Sequence, residues 1–391
     1  MELIFAMLLV LNNLFTSSPE GDNNKPLLPS WKAIPGIAAA TQPDAPPAAD
    51  PSIFVKTDPQ PDAPIVKGIY VTSHSAGGER MAGLLQLIDD TPLNSMVIDI
   101  KDDYGYITYP SDNAEMLELG ETRRNIADIN ALMARLVQHE VYPIARIVVF
   151  KDSVLAAKRP ELSFVQADGT VWQNGRKESF VNPYRKEVWD YNIAIAKEAA
   201  RLGFKEIQFD YVRFPEGFEN KADSLAFDRS GESRVQIVAD FVKYAREQLE
   251  PLGIRISVDI FGYAASVPAA EGIGQDFVKL SKHVDVISPM VYPSHYSTGW
   301  FKQQTPDKAP YETIKGSMLD THDKLEPLGH YKPVIRPWIQ DFTASWLGKG
   351  NYIPYGKQEV EAQIQALQDT GVDEYLLWNA GNRYTPGVKY E

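Results

Sequence analysis

The first sign of chemistry in this sequence is acid placed inside otherwise apolar, strand-like runs. In EIQFDYVRFPE (Glu206–Glu216), Asp210 lies among Ile207, Phe209 and Tyr211. A carboxylate within a buried parallel strand is costly unless it is hydrogen-bonded or functional. Side chains alternate along a strand, so Gln208 and Asp210 share one face and Ile207, Phe209 and Tyr211 the other. The pattern recurs in SMVIDIKD, RISVDIFG and PVIRPWIQDF, where Asp99, Asp102, Asp259 and Asp341 fall near strand ends. Two such carboxyls, one protonated and one charged, are what cleavage of a glycosidic bond needs. Tyr211, Tyr292, Tyr296, Trp338 and Trp378 lie at the same ends, and their rings suit the C–H faces of sugars.

Competing chemistries find less support. The chain has no cysteine, which excludes thiolate catalysis, disulfides and cysteine-based metal sites, and no G-x-S-x-G elbow occurs. Six histidines are present without an H-x-H or H-E-x-x-H pair. His74 and His295 follow the first and sixth strand-like runs and read as substrate or rim residues before metal ligands. No cofactor is expected. The formal charge of -13 argues against a nucleic-acid partner, whose phosphates need lysine and arginine. It suits a neutral carbohydrate.

These acids must be held by something regular. Strand-like runs appear at KGIYVTS, SMVIDIKD, YPIARIVVF, EIQFDYVRF, RISVDIFG, VDVISPMVY, PVIRPWIQDF and EYLLWNAG. Helical patterns fall between most of them, clearest at Arg80–Asp89, Asn125–His139, Val188–Leu202, Val235–Leu249, Tyr311–Leu325 and Gln358–Gln368. Gly203, Gly253 and Gly371 stand just past three of these, where a helix C-cap is wanted. Eight strands alternating with helices predict an α/β fold, a single (β/α)8 TIM barrel over residues 65–391. A doubly wound open sheet is the alternative, but SHSAGGERMAG does not fit its glycine fingerprint. Parity then places Asp99 with Lys101, Ser257 with Asp259, and Arg336 with Trp338 and Gln340, each set on one strand face, with Arg146 alone among apolar neighbours. The long connection Lys151–Tyr184 contains FVQADGTVW, read as a hairpin turning at Asp168-Gly169; its Trp172 belongs to a substrate lid or to a plain cover.

Ahead of the barrel, LIFAMLLVL (Leu3–Leu11) has the length of a signal-peptide core and is too short for a membrane span, although the usual positive leader is missing. Residues 1–16 therefore read as a signal peptide or anchor, with a chance apolar terminus as the alternative. Residues 17–64, rich in Pro, Ala, Asp and Asn, read as a disordered tether. An extracellular or envelope-associated protein, with its N-terminus as a membrane or envelope tether, is the expectation.

Taken together, GIYVTS, VIDIKDDYG, ARIVVFKD, VNPY, EIQFDYVRFP, SVDIFG, ISPMVYPSHY, IRPWIQDF and EYLLWNA resemble a bacterial family of glycoside-hydrolase-like domains marked by FDYVRFP. The resemblance covers about Lys67–Tyr384 and implies a (β/α)8 glycosidase fold. A more distant similarity is to α-amylase-type enzymes. By topology it sets Asp210 as nucleophile, Asp259 as acid and Asp341 as a third acid, with Gln208 and Asp259 departing from that pattern's Arg and Glu. Chitinase-type D-x-x-D-x-D-x-E is absent.

The expected activity is hydrolysis of a cell-wall or extracellular polysaccharide, and the alternative is a non-catalytic carbohydrate-binding or scaffold barrel. Asp210, Asp259 and Asp341 are the candidate catalytic residues, with Glu216 as a competing proton donor. Arg146, Lys101 and Arg336 are expected to hold the carboxylates. Asp99, Asn182, Tyr211, Arg213, Tyr292, His295, Trp338, Gln340 and Trp378 complete the expected sugar-binding set.

Overall fold

A computed structural model describes residues 63–391. The expected leader at 1–16 and all but the last two residues of the 17–64 tether lie outside the described residues. The barrel strands are β1 (Lys67–Val71), β2 (Ser95–Lys101), β3 (Tyr142–Val148), β4 (Glu206–Asp210), β5 (Arg255–Phe261), β6 (Val286–Met290), β7 in two pieces (Val334–Ile335 and Trp338–Gln340) and β8 (Tyr375–Trp378). All pair in parallel in chain order, and β1 bonds to both β2 and β8, closing the ring. The predicted TIM barrel is thus the observed fold. Strand β7 is broken because Pro337 has no N–H to give a ladder.

Helices α1 (Arg80–Asp89), α2 (Ile129–Gln138), α3 (Lys186–Leu202), α4 (Arg234–Leu249), α5 (Phe277–Ser281), α6 (Pro310–Leu325) and α7 (Lys357–Asp369) surround the strands. Local chemistry sets their ends. Asp128 accepts the Ala131 N–H at 2.9 Å, so α2 starts there and not at Asn125. Ser233 does the same for α4, and Gly203, with φ of 104°, closes α3. The stripe Ile129, Leu132, Met133 and Leu136 on α2 is buried, each side chain stabilising by roughly 1.5–3 kcal/mol. The hairpin also forms, with Val165 bridged to Val171 and Gly169 at φ of 86°; Trp172 packs, half-buried, against the core.

Two apolar cores result. The larger fills the space between strands and helices. The smaller lies inside the ring and includes Tyr70, Val97, Ile144, Tyr292, Trp338, Leu376 and Trp378. Strands β3 to β5 instead send Arg146, Gln208, Asp210, Ser257 and Asp259 to buried positions. The ring is therefore aromatic on one side and ionisable on the other.

One parity expectation fails for a physical reason. Asp99 pairs with Arg146 across β2 and β3, but Lys101 pairs with the next residue, Ile147, so a β-bulge at Ile100 shifts the register. One extra residue reverses the direction of every side chain after it. Lys101 consequently leaves the Asp99 face and enters the helix layer, where its ammonium meets Asp152 at 2.7 Å and the Asn192 amide at 3.2 Å.

Candidate active site

Arg146, 1% exposed, stands at the centre of the barrel mouth. Its Nη1 donates to Asp99 Oδ1 at 2.6 Å and to Asp103 Oδ2 at 3.3 Å. Its Nε and Nη2 donate to Asp210 Oδ2 at 3.0 and 2.5 Å. Tyr70 donates its hydroxyl to Asp99 Oδ2 at 2.6 Å. The other oxygen of Asp210 accepts the Tyr211 N–H at 2.6 Å, with Tyr211 in the left-handed region at φ of 51°. A bulky residue at such a φ is a genuine outlier, of the kind that gathers at functional sites.

Asp259 is the neighbour of Asp210 on the next strand. Phe209 pairs with Val258, so the two acids follow in register on strands about 4.8 Å apart. Asp259 Oδ1 accepts the Trp338 indole N–H at 2.7 Å. Burial, mutual repulsion and the cations Arg146 and Lys151 divide these carboxyls between protonated and charged forms. Burial pushes Asp259 well above the usual carboxylate range, and the charge of Asp210 pushes it further. Burial also raises Asp99, to about 7, against the pull of Arg146. Burial acts on Asp103 as well, but Arg146 and Lys151 outweigh it and hold that carboxyl at about 2. A protonated acid thus stands beside an acid paired to arginine, the division of labour that acid catalysis with a second carboxylate requires.

An aromatic wall faces them. Trp378 stacks on Tyr70 at 4.1 Å and meets Trp338 edge-on at 5.4 Å, with Tyr292 at 6.4 Å from Trp378. Beside Tyr292 lies His295, held by burial at about 3 and therefore neutral at physiological pH. Ser294 Oγ donates to Gln340 Oε1 at 2.7 Å, so its contact with His295 Nδ1 at 2.8 Å is one in which the imidazole donates. That fixes the tautomer with Nε2 as an acceptor.

Several predicted site residues are engaged elsewhere. Lys101 is turned away by the bulge. Arg336 plugs the opposite end of the barrel, bonded to Glu206 at 2.7 Å and Glu374 at 2.6 Å, and holds no mouth carboxylate. Asp341 is committed to a structural contact: its oxygens accept the Thr385 N–H at 2.9 Å and hydroxyl at 2.5 Å, tying the C-terminal segment to β7. Gln340 is fully buried and committed to Ser294, Asp307 and Phe342. Asn182, also fully buried, braces a loop through the Asp228 carbonyl and the Tyr184 N–H. Asp102 accepts three backbone N–H groups of its own turn. Arg213 lies over the Tyr211 and Phe261 rings at 4.7 and 4.6 Å and bonds Glu216 at 3.1 Å, so Glu216 faces arginine.

The structure also adds residues. Tyr70 shares the inward face of β1, a position that alternation in GIYVTS permits. Asp103 comes into reach of Arg146 only through the turn after the bulge. Lys151 bonds Asp103 at 3.2 Å and Glu178 at 2.8 Å, from a long connection with no periodic signal.

A closed (β/α)8 barrel with inward carboxyls at the C-terminal ends of its strands defines a glycosidase-like protein. Residues 68–384 match the family described as "Putative glycosyl hydrolase domain", and the chain belongs to that family. Among solved structures, it is similar to a hypothetical protein from Ruminiclostridium thermocellum ATCC 27405, with 36% identity over 49% of this chain and 96% of that one, TM-score 0.45. It is also similar to the PgaB (BpsB) glycoside hydrolase domain from Bordetella bronchiseptica, with 13% identity over 81% of this chain and 94% of that one, TM-score 0.57. At that identity the likeness is one of fold. No protein with a curated description matches.

Proposed function

We propose that the chain hydrolyses O-glycosyl bonds of a cell-wall or extracellular polysaccharide, using Asp210 and Asp259. The observation that carries this reading is the pairing of neighbouring acids in opposite surroundings. Asp210 accepts two N–H groups from Arg146, whereas Asp259 faces an indole N–H in a buried aromatic wall. Asp259 gives its proton to the leaving oxygen, and Asp210 stabilises or attacks the sugar cation from beneath. Arg146 and the Tyr211 N–H fix the Asp210 carboxylate before substrate arrives, which lowers the reorganisation needed in the transition state. Trp378, backed by Tyr70, offers the stacking face. A site of action outside the cell belongs to this reading and rests on the apolar and Pro/Ala-rich N-terminal sequence.

The test is release of reducing ends from a panel of wall and storage glycans. Wild-type protein cleaves at least one, and Asp210→Asn cleaves none while retaining binding. Binding without cleavage by wild type would instead make the barrel a carbohydrate-binding scaffold.

A further inference from the structure

The loop leaving β7 carries an aromatic ring that the catalytic reading does not use. Trp346, 46% exposed, lies in the short turn Ser345–Leu347 on the same barrel face as the acids. It stacks on Phe342 with centroids 5.7 Å apart and planes 23° apart. Phe342 in turn meets Tyr292 at 5.8 Å, and Tyr292 meets Trp378 at 6.4 Å, beside Tyr70 and Asp99. Rings therefore run in unbroken contact from solvent to the acids. The exposed residues around Trp346, among them Thr343, Ser345, Gly348 and Lys349, are polar or glycine. A stable protein partner buries about 800 Å² per side around an apolar centre, which one ring in a polar loop does not offer. A sugar presents one apolar C–H face rimmed by hydroxyls, and a single ring among polar groups matches that.

We propose that Trp346, backed by Phe342, is a distal stacking subsite for a further unit of a glycan chain threaded through the mouth, so that the substrate is an extended chain and not a small terminal glycoside. This rests on the glycosidase reading and adds the length and path of the substrate. Trp346 is a binding residue that touches no reacting atom. Its loss weakens capture of long chains and leaves short substrates unaffected.

The experiment uses the full chain and soluble chitin, chitosan, cellulose and starch oligomers from disaccharide to octasaccharide. Wild-type kcat/KM rises with chain length. In Trp346→Ala, the long oligomers of the cleaved series lose roughly tenfold in kcat/KM, mainly through KM, as loss of one aromatic contact implies. Short oligomers keep wild-type values, and Trp346→Phe restores the length dependence. Unchanged length dependence in Trp346→Ala overturns the subsite while leaving the hydrolase reading intact. So does a change in the oligomeric state of that variant, by ultracentrifugation, without one in kinetics. If wild type cleaves none of the series or the glycan panel, the hydrolase reading fails and the subsite with it.

Discussion

Replacing Arg146 with methionine asks whether the mouth is organised by one buried cation. The side chain is 1% exposed and touches three carboxyls at 2.5–3.3 Å. Removing one partner of a buried ion pair costs about 3–5 kcal/mol, because a charge is left without compensation. Protonation offers a way out, so the penalty depends on pH. In the native protein, Asp103 at about 2 lies below its unfolded value. It contributes stability above about pH 4, roughly 2 kcal/mol, which is lost as pH falls through its folded value. Without Arg146, Asp99 keeps its burial and the repulsion of Asp103 but loses its cation, so its folded value, already about 7, rises further above the unfolded one, while Asp103 retains only Lys151. A carboxyl raised in this way leaves stability intact below about pH 4 and removes it as pH climbs towards the raised value. Urea denaturation of wild type and Arg146→Met at about pH 5 and pH 8 measures the difference. The deficit is expected to be at least about 3 kcal/mol at the higher pH and distinctly smaller at the lower. An equal deficit at both, or one under about 1 kcal/mol, would mean that Arg146 does not organise the mouth carboxyls.

Three further outcomes follow from the same contacts. Lys101→Met strands Asp152 in the helix layer and lowers stability by about 3–5 kcal/mol by denaturant titration, while the folded protein is expected to keep wild-type glycan binding because Lys101 is turned away from the mouth. Gly105→Ala destabilises by about 2 kcal/mol or more in the same assay, since Gly105 has φ of 104° and an added Cβ would lie 2.0 Å from Asp152 Oδ1. Asp341→Ala loses the two Thr385 hydrogen bonds and costs about 1–3 kcal/mol, yet hydrolysis persists, unlike the outcome expected of a catalytic acid.

The alternation of strand-like and helical runs was enough to read the barrel, because period and length are local properties of sequence. Asp210, Asp259, Asp99 and Arg146 were legible as well, each a polar residue interrupting an apolar strand. What escaped depends on where the backbone departs from regularity. The bulge at Ile100 reverses Lys101 and, with the turn held by Asp102, brings Asp103 to Arg146, and nothing in SMVIDIKDD marks the extra residue. Arg336 was on the expected inward face but at the wrong height, since it lies near the N-terminal end of β7, where it reaches Glu206 at the start of β4. Asp341 satisfied the topological slot of a third acid. Its partner Thr385 lies 44 residues on, a contact no local pattern reveals.

If Asp259 supplies the proton and Asp210 the charge, the two acids respond differently to the leaving group. An aryl glycoside with an acidic phenol needs no proton to depart, whereas a sugar does. Asp259→Asn is expected to lose on the order of 10²–10⁴ in kcat/KM on the natural glycan and far less on the dinitrophenyl glycoside of the same sugar. Asp210→Asn is crippled on both. Equal losses of Asp259→Asn on the two substrates, or wild-type rates in Asp210→Asn, would contradict this assignment of roles.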